Sequence, residues 1–220
     1  MSQGSNRREV LLGTAAAAAA MAMGGCNPPK WQKEGKTMCC ARPASKLRLS
    51  VQEGIIPGKS LAEKLDKMES LGFEGLEVGG GYLRKNVKEL KEGLKGRSVK
   101  MSAICAGFEG YLIAEDPAIR EKAMKTMKEL LSLAGEVGST GLIIVPAFND
   151  QKSLPHQQAR ELLTGFKTWD TPVSERKGLL QDLGRHAAGA GTRILLEPLN
   201  RRECYFLRTL ADGASLCRDV

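Results

Sequence analysis

Two carboxylates and two guanidinium groups are concentrated in residues 197–203, at the end of the stretch 192–203, which reads TRILLEPLNRRE. An apolar run ends at Glu197, and the proline after it favours extended backbone, so the pattern predicts a buried strand with Glu197 at its carboxyl end. A carboxylate between apolar neighbours is costly to bury unless a cation compensates its charge. Glu197 is therefore expected to bind a metal ion or to form an ion pair with Arg201 or Arg202.

Apolar runs and helical periodicities alternate upstream of this stretch. A continuous apolar run is typical of a parallel strand that is covered on both faces. Because no hairpin signal joins two neighbouring strands, the pattern predicts a parallel α/β fold, either an open sheet or a closed barrel. The predicted strands are residues 47–51, 73–78, 99–105 and 140–145, followed by the strand that ends at Glu197.

Helix start signals lie between these strands. Ser60 and Glu63 form a capping box ahead of an apolar stripe that runs to Leu71. Asp116 followed by Pro117 predicts another start, since aspartate caps a helix and proline fits its first turn. Further helices are predicted to begin at Asn86, near Gln157 and at Thr171.

Three glycines, residues 79–81, follow the second predicted strand. No GxGxxG motif follows the first strand, so the dinucleotide-binding fingerprint is absent from that position. The glycine run is predicted to form a tight turn. Its backbone amides are also suited to cradling an anionic ligand.

The composition argues against several classes of protein. Hydrophobic residues make up 42% and charged residues 26%, which is ordinary for a globular domain. The formal charge of +8 is spread over helix faces, and aromatic residues are only 5%, so no nucleic acid partner is expected. The same charge suits an anionic sugar or phosphate substrate.

The six cysteines contain no CxxC pair, so the sequence indicates neither a zinc cluster nor a clear disulfide framework.

The first 26 residues resemble a bacterial export signal. Arg7 and Arg8 precede a short alanine-rich run, as in twin-arginine signals, and a glycine pair before Cys26 resembles a lipoprotein processing site. These features predict recognition by the twin-arginine translocation machinery and a lipid anchor on Cys26, at the periplasmic or cell surface. A frayed alanine-rich helix is the alternative. Residues 27–46 are predicted to be a flexible tether, and residues 47–220 the folded domain.

Four segments carry a resemblance to a known family. They read LGFEGLEVG at 71–79, SAICAGFEGYLIAEDP at 102–117, GSTGLIIVPAF at 138–148 and ILLEPLNRRE at 194–203. Together they resemble the xylose isomerase-like TIM-barrel superfamily, in particular its sugar phosphate isomerase/epimerase branch near hydroxypyruvate isomerases and ketose 3-epimerases. The resemblance implies a (β/α)8 barrel of which this chain holds about the first five units.

The resemblance also implies roles for the motif at the end of the fifth strand. Glu197 would bind a divalent metal and serve as the acid/base for proton transfer, and Glu203 would lie against the substrate. Asn200 and Arg201 would shape the loop and support the carboxylates at the substrate site. The role of Arg202 stays open, because relatives often have an aromatic residue there.

Three further residues are candidates for the substrate site. Glu77 ends the second strand and is expected either to touch the substrate or to pair with a lysine of a neighbouring strand. Phe108 and Tyr111 lie in the loop after the third strand, where they would roof the sugar or simply pack.

The implied chemistry is isomerisation or epimerisation of a sugar, sugar phosphate or hydroxy-keto acid through an enediolate. Such a reaction needs a base that works near neutral pH and a Lewis acid that holds the developing oxyanion. Oxygen ligands favour Mg²⁺ or Mn²⁺, with Co²⁺ or Zn²⁺ also allowed.

Two alternative functions are a non-catalytic exported sugar-binding module and an abasic-site endonuclease. The endonuclease needs several metal-binding histidines, and only His156 and His186 are present.

The family completes its metal site with an aspartate, a histidine and a glutamate from strands six to eight. The sequence reaches Val220 in the helix predicted after strand five. The chain is therefore expected to be a fragment that binds metal poorly and is inactive by itself. The exposed edge of the fifth strand would also permit a homo-oligomer.

Overall fold

The computed structural model describes residues 47–165 and 178–220. The predicted export signal with Arg7, Arg8 and Cys26, the predicted tether at 27–46 and the helix start predicted at Thr171 lie outside the described residues. Predictions about them therefore remain predictions.

The described strands form a five-stranded parallel sheet in the order β1-β2-β3-β4-β5. Each strand pairs with the next strand in the chain, as in the wall of a barrel, whereas a doubly wound sheet reverses its strand order. The prediction of a parallel α/β fold with five strand-helix units is confirmed. The strands are β1 Ser50–Gln52, β2 Gly75–Gly79, β3 Lys100–Cys105, β4 Leu142–Ile144 and β5 Ile194–Leu196.

Helices alternate with the strands and begin largely where the capping residues predict. The hydroxyl oxygen of Ser60 accepts a hydrogen bond from the Glu63 backbone N–H at 3.2 Å, and Oδ1 of Asp116 accepts one from the Ala118 N–H at 2.8 Å. No helix within 47–165 and 178–220 is both long enough and apolar enough to cross a bilayer. The helices are α1 Leu61–Ser70, α2 Gly80–Leu94, α3 Pro117–Glu136, α4 His156–Thr164, α5 Leu179–Gly189 and α6 Leu210–Asp219.

The strand register separates two faces of the sheet. Val78, Ile104, Leu142 and Ile194 are neighbours across β2 to β5, and the first three are buried against the core. Successive side chains of a strand point to opposite faces, so the row with Cys105, Ile143 and Leu195 lies on the other face. By the same alternation, the side chains of Glu77 and Glu197 lie on the face of this second row. The register therefore aims both glutamates toward one side.

Two local predictions about helices are wrong. Leu71 is 54% exposed, because α1 ends at Ser70 and the chain turns away at Gly72 with a positive φ of 78°. The second helix begins at Gly80, before the predicted start at Asn86. Asn86 instead marks a kink within α2, with φ −125° and ψ 19°, and its side chain donates to the Tyr82 carbonyl at 2.9 Å.

The glycine run after β2 is not a tight turn, because Gly80 and Gly81 already belong to α2. Close backbone approach explains the need for glycine here. A Cβ atom on Gly80 would lie 2.4 Å from the carbonyl oxygen of Ala106, in the loop after β3.

The fifth strand is only half-buried, although its apolar run predicts burial. Among the described strands it pairs with β4 alone, so one edge of β5 has no strand beside it. Burial of a strand depends on what covers it, which its own residues do not specify.

Candidate functional site

Glu197 directly follows β5 and is held there through its backbone, whose N–H donates to the Ile144 carbonyl of β4 at 3.1 Å. Its side chain is exposed. Within the described residues neither Arg201 nor Arg202 forms an ion pair with Glu197. The ion-pair alternative for Glu197 is thus not realised, and the carboxylate is available to a ligand.

Glu77 is half-buried near the end of β2 and is held by an amide group of β1. Nε2 of Gln52 donates a hydrogen bond to Oε1 of Glu77 at 2.8 Å. The two residues are register partners, so their side chains lie side by side on one face. In the described part of the chain Glu77 forms no ion pair with a lysine, and a neutral donor leaves its negative charge in place.

Cys105 ends β3 between these carboxylates. Burial, followed by the charges of Glu77 and Glu197, raises the pKa of its thiol above the ordinary value. Because β2 to β5 are parallel, the carboxyl ends of β2, β3 and β5 lie at the same edge of the sheet, which forms the mouth of the site. The Cys105 side chain is half-buried there.

A cleft of about 240 Å³ opens between the ends of β1, β2 and β3. Two glycines in its wall leave the backbone accessible. Its lining includes Gln52, Glu53, Gly54, Glu77, Gly79 and Cys105.

Asn200 organises the turn after β5. Its Oδ1 accepts from the Arg202 N–H at 2.9 Å, its carbonyl accepts from the Glu203 and Cys204 N–H groups at 3.0 Å each, and its Nδ2 donates to the Glu203 carboxylate. Among the described residues this is the one hydrogen bond that the Glu203 carboxylate accepts. Asn200 thus contacts one of the predicted carboxylates, while the substrate roles of Asn200 and Glu203 stay predictions.

Arg201 is exposed and joins the site through its backbone. Its carbonyl accepts a hydrogen bond from Nδ2 of Asn149, in the loop after β4, at 3.0 Å. This backbone hydrogen bond does not bear on the predicted role of Arg201 at the substrate, which stays a prediction.

The aromatic residues of the β3 loop have structural contacts. Phe108 is half-buried and packs against the hydrophobic core. The Tyr111 hydroxyl donates to the Lys152 carbonyl at 2.8 Å and so ties the β3 loop to the β4 loop. These contacts match the packing alternative, and contact of Phe108 with a sugar stays a prediction.

Sequence reasoning missed two residues of the site, Gln52 and Asn149. The sequence contained a signal that could have identified Gln52. It is a polar residue at the end of β1, and its register neighbour is Glu77 near the end of β2. Asn149 carried none, since its partners are backbone carbonyl groups more than 50 residues away.

The donor set for a divalent metal is incomplete in residues 47–165 and 178–220, where no three His, Cys, Asp or Glu side chains gather as a metal site. Both histidines are engaged elsewhere. The ring of His156 lies 4.8 Å from that of Phe206, and Nε2 of His186 is 2.9 Å from the Ser132 hydroxyl. One carboxylate does not hold a divalent ion by itself, so metal binding by Glu197 stays a prediction.

Comparison with known proteins identifies relatives of the chain. It is 27% identical over 168 residues to the 3-dehydro-D-guloside 4-epimerase of Escherichia coli strain K12, an alignment that covers 76% of this chain and 62% of the relative. The chain therefore spans less than two thirds of that protein.

Solved structures share the fold. A 3-keto-D-glucoside 4-epimerase from E. coli superposes with a TM-score of 0.65 at 23% identity, over 79% of this chain and 64% of that one. The IolI protein, solved with a zinc atom bound, gives a TM-score of 0.60 at 16% identity, over 78% and 58% of the two chains. The family model described as xylose isomerase-like TIM barrel matches residues 65–220, so the chain belongs to the xylose isomerase-like TIM barrel family.

Proposed function

We propose that the protein containing this chain is a sugar epimerase or isomerase that moves a proton on a carbon next to a ketone. The observation that carries the proposal is the placement of Glu77 and Glu197 on one side of the sheet at the carboxyl ends of β2 and β5, with β3 and its Cys105 between them in the strand order. In α/β barrels that face of the sheet holds the reacting groups. The relative named for 4-epimerisation of a 3-dehydro sugar supports the same class of reaction.

The chemistry of such a substrate explains the need for a carboxylate. In a 3-dehydro sugar the C4–H bond lies next to the C3 ketone, so a base removes that proton while the electron pair moves onto the carbonyl oxygen. Return of a proton to the opposite face of the enediolate inverts C4 and restores the ketone. We assign the proton-accepting role to Glu197, since its carboxylate has no ion-pair partner among the described residues.

A divalent metal is part of the proposal for the whole protein. It would stabilise charge on the oxygens of the enediolate, and Glu197 would be one of its ligands. Carboxylate ligation favours Mn²⁺ or Mg²⁺, and the zinc of the IolI structure keeps Zn²⁺ and the similar Co²⁺ in consideration. Metal analysis of the purified protein tests this part separately.

Replacement of Glu197 by Gln tests the enzymatic role. We expect proton exchange at C4 of a 3-dehydro glycoside, followed by NMR in deuterium oxide, to fall about 10²- to 10⁴-fold, the usual contribution of a general base. Glu115→Gln is the control, because Glu115 is an exposed loop carboxylate that pairs with Lys152 at 3.0 Å. Exchange by Glu197→Gln at the parent rate would contradict the proposal.

A non-catalytic sugar-binding module is the second candidate. The incomplete donor set within the described residues favours it. Sugar binding without any proton exchange, in the parent protein loaded with Mn²⁺, would support the module over the enzyme.

Export to the bacterial periplasm or cell surface, with a lipid on Cys26, completes the proposal. The motif Arg7-Arg8 and the glycine pair before Cys26 support it. Cys26→Ser is expected to move the protein from the membrane fraction to the soluble fraction. Unchanged fractionation would contradict the lipid anchor.

A further inference from the structure

The cleft at the ends of β1, β2 and β3 has a polar, fixed floor. The Gln52 amide donates to one oxygen of Glu77 at 2.8 Å, which orients the carboxylate and leaves its second oxygen free to accept another hydrogen bond. Gly54 and Gly79 contribute no side chains to the wall, and the volume of about 240 Å³ is below the usual range for drug-sized ligands. These features suit the hydroxyl groups of a small polyol.

The charge in the cleft is negative. Glu53, at its rim, is neutralised by an ion pair with Lys64, whereas Glu77 has only the neutral amide of Gln52 as its partner in the described residues. No lysine, arginine or histidine of 47–165 and 178–220 lines the cleft.

Two cations beside the β3 loop, Arg84 of α2 and Lys152 of the β4 loop, are already engaged. Arg84 donates to the Glu129 carboxylate at 2.9 Å and to the Gly107 carbonyl at 2.5 Å. Lys152 pairs with Glu115 at 3.0 Å. A phosphate group, which proteins bind with free arginine and lysine side chains, would find no such partner among these residues.

The start of helix α2 would be the other feature able to bind an anion, since backbone N–H groups are unpaired at a helix start. It is covered by the backbone of the β3 loop. A Cβ atom built on Gly107 would lie 2.9 Å from the backbone nitrogens of Gly80 and Gly81, so the backbone of this loop lies directly against the first N–H groups of α2.

We propose that this cleft binds the hydroxyl groups of an uncharged sugar through Glu77 held by Gln52, and that it discriminates against phosphate esters. The proposal rests on the proposed function and extends it, because that function leaves sugars and sugar phosphates equally open. Glu77 then sets specificity at the part of the sugar that does not react, while Glu197 faces the reacting carbon.

Calorimetric titration of the whole protein with methyl glucoside and with glucose 6-phosphate tests this inference. We expect the phosphate ester to bind about tenfold more weakly at low ionic strength, because like charges repel most strongly where screening is weak. Glu77→Gln should reduce that difference to about twofold, mainly by tighter binding of the ester. Gln52→Leu should weaken binding of the uncharged glucoside.

Glu109→Gln is the matched control, since Glu109 is an exposed loop carboxylate paired with Lys122 outside the cleft, and its replacement should leave the affinity ratio unchanged. Equal or tighter binding of the phosphate ester by the parent, or a ratio that Glu77→Gln does not alter, would overturn the inference. Exposed Arg201 or Arg202 would then be the phosphate ligands. Discrimination without proton exchange at C4 would contradict only the proposed function.

Discussion

The backbone N–H of Asn149 donates a hydrogen bond to the carbonyl of Glu203 at 2.8 Å, and its side-chain amide donates to the Arg201 carbonyl at 3.0 Å. One residue of the β4 loop therefore fixes the turn that carries Glu203. The arrangement joins the loops of two neighbouring strands at the mouth of the site.

Asn149→Ala is expected to loosen this turn with little loss of stability. Removal of one exposed hydrogen bond costs about 0.5–1.5 kcal/mol, measurable by urea unfolding. In the whole protein we expect kcat/KM for the proposed epimerisation to fall about tenfold, mainly through KM if Glu203 contacts the substrate as predicted. Gln151→Ala is the control, because its side chain accepts from the Phe148 N–H in the same loop but does not contact the β5 turn. Equal kinetics for the two variants would contradict the positioning role of Asn149.

Neighbouring residues of the β3 loop should respond to substitution in opposite ways. Ala106 has a φ of 48°, a left-handed conformation that is strained for alanine, so Ala106→Gly should be neutral or stabilising by about 0–1 kcal/mol. Gly107 has a φ of 84°, and a Cβ there would lie 2.7 Å from Cα of Gly80. Gly107→Ala should therefore destabilise the protein by about 2 kcal/mol or more. Urea unfolding of both variants is the test, and similar effects of the two would contradict the loop conformation.

Gly75 allows a hydrogen bond to span β2. The hydroxyl oxygens of Ser50 on β1 and Ser102 on β3 are 2.7 Å apart, and a Cβ on Gly75 would lie 2.9 Å from the Ser50 side chain. Gly75→Ala is expected to destabilise the fold by about 1–3 kcal/mol through overpacking. Gly184→Ala is the control, because its Cβ meets nothing within 4 Å and alanine favours a helix by about 1 kcal/mol. A melting temperature of Gly75→Ala above that of the parent protein would refute the predicted contact.

Alkylation of Cys105 reports the charge at the mouth of the site. Because burial and the two glutamates raise the pKa of the thiol, the reactive thiolate is scarce near neutral pH, and reaction with iodoacetamide should be slow and should accelerate as the pH rises. Glu77→Gln removes one negative charge, which lowers the pKa of Cys105 and should increase the rate severalfold. Exposed Cys217 on α6 is the internal control in peptide mass spectrometry. An unchanged Cys105 rate in Glu77→Gln would show that Glu77 does not face Cys105.

Much of the fold is predictable from local signals. Ser60 and Asp116 mark helix starts through hydrogen bonds to residues two or three positions away, and such contacts depend on the sequence alone. The start of α2 escapes prediction because the requirement for glycine at position 80 comes from the Ala106 carbonyl, which belongs to another loop. Leu71 is exposed because it follows the last residue of α1. The end of the helix, and not the apolar stripe, decides where the Leu71 side chain points.

For the site, the sequence by itself determined which carboxylates end strands. Glu197 is the example, because a glutamate that follows an apolar run and precedes a proline is a local pattern. Only the tertiary structure decided what surrounds them. The parallel register placed Gln52 beside Glu77 and set Cys105 between two negative charges, while Asn149 reached the β5 turn from a different loop. The physical reason is that alternation along a strand fixes the face of a side chain, whereas its neighbours depend on which strands pair and how the loops close over their ends.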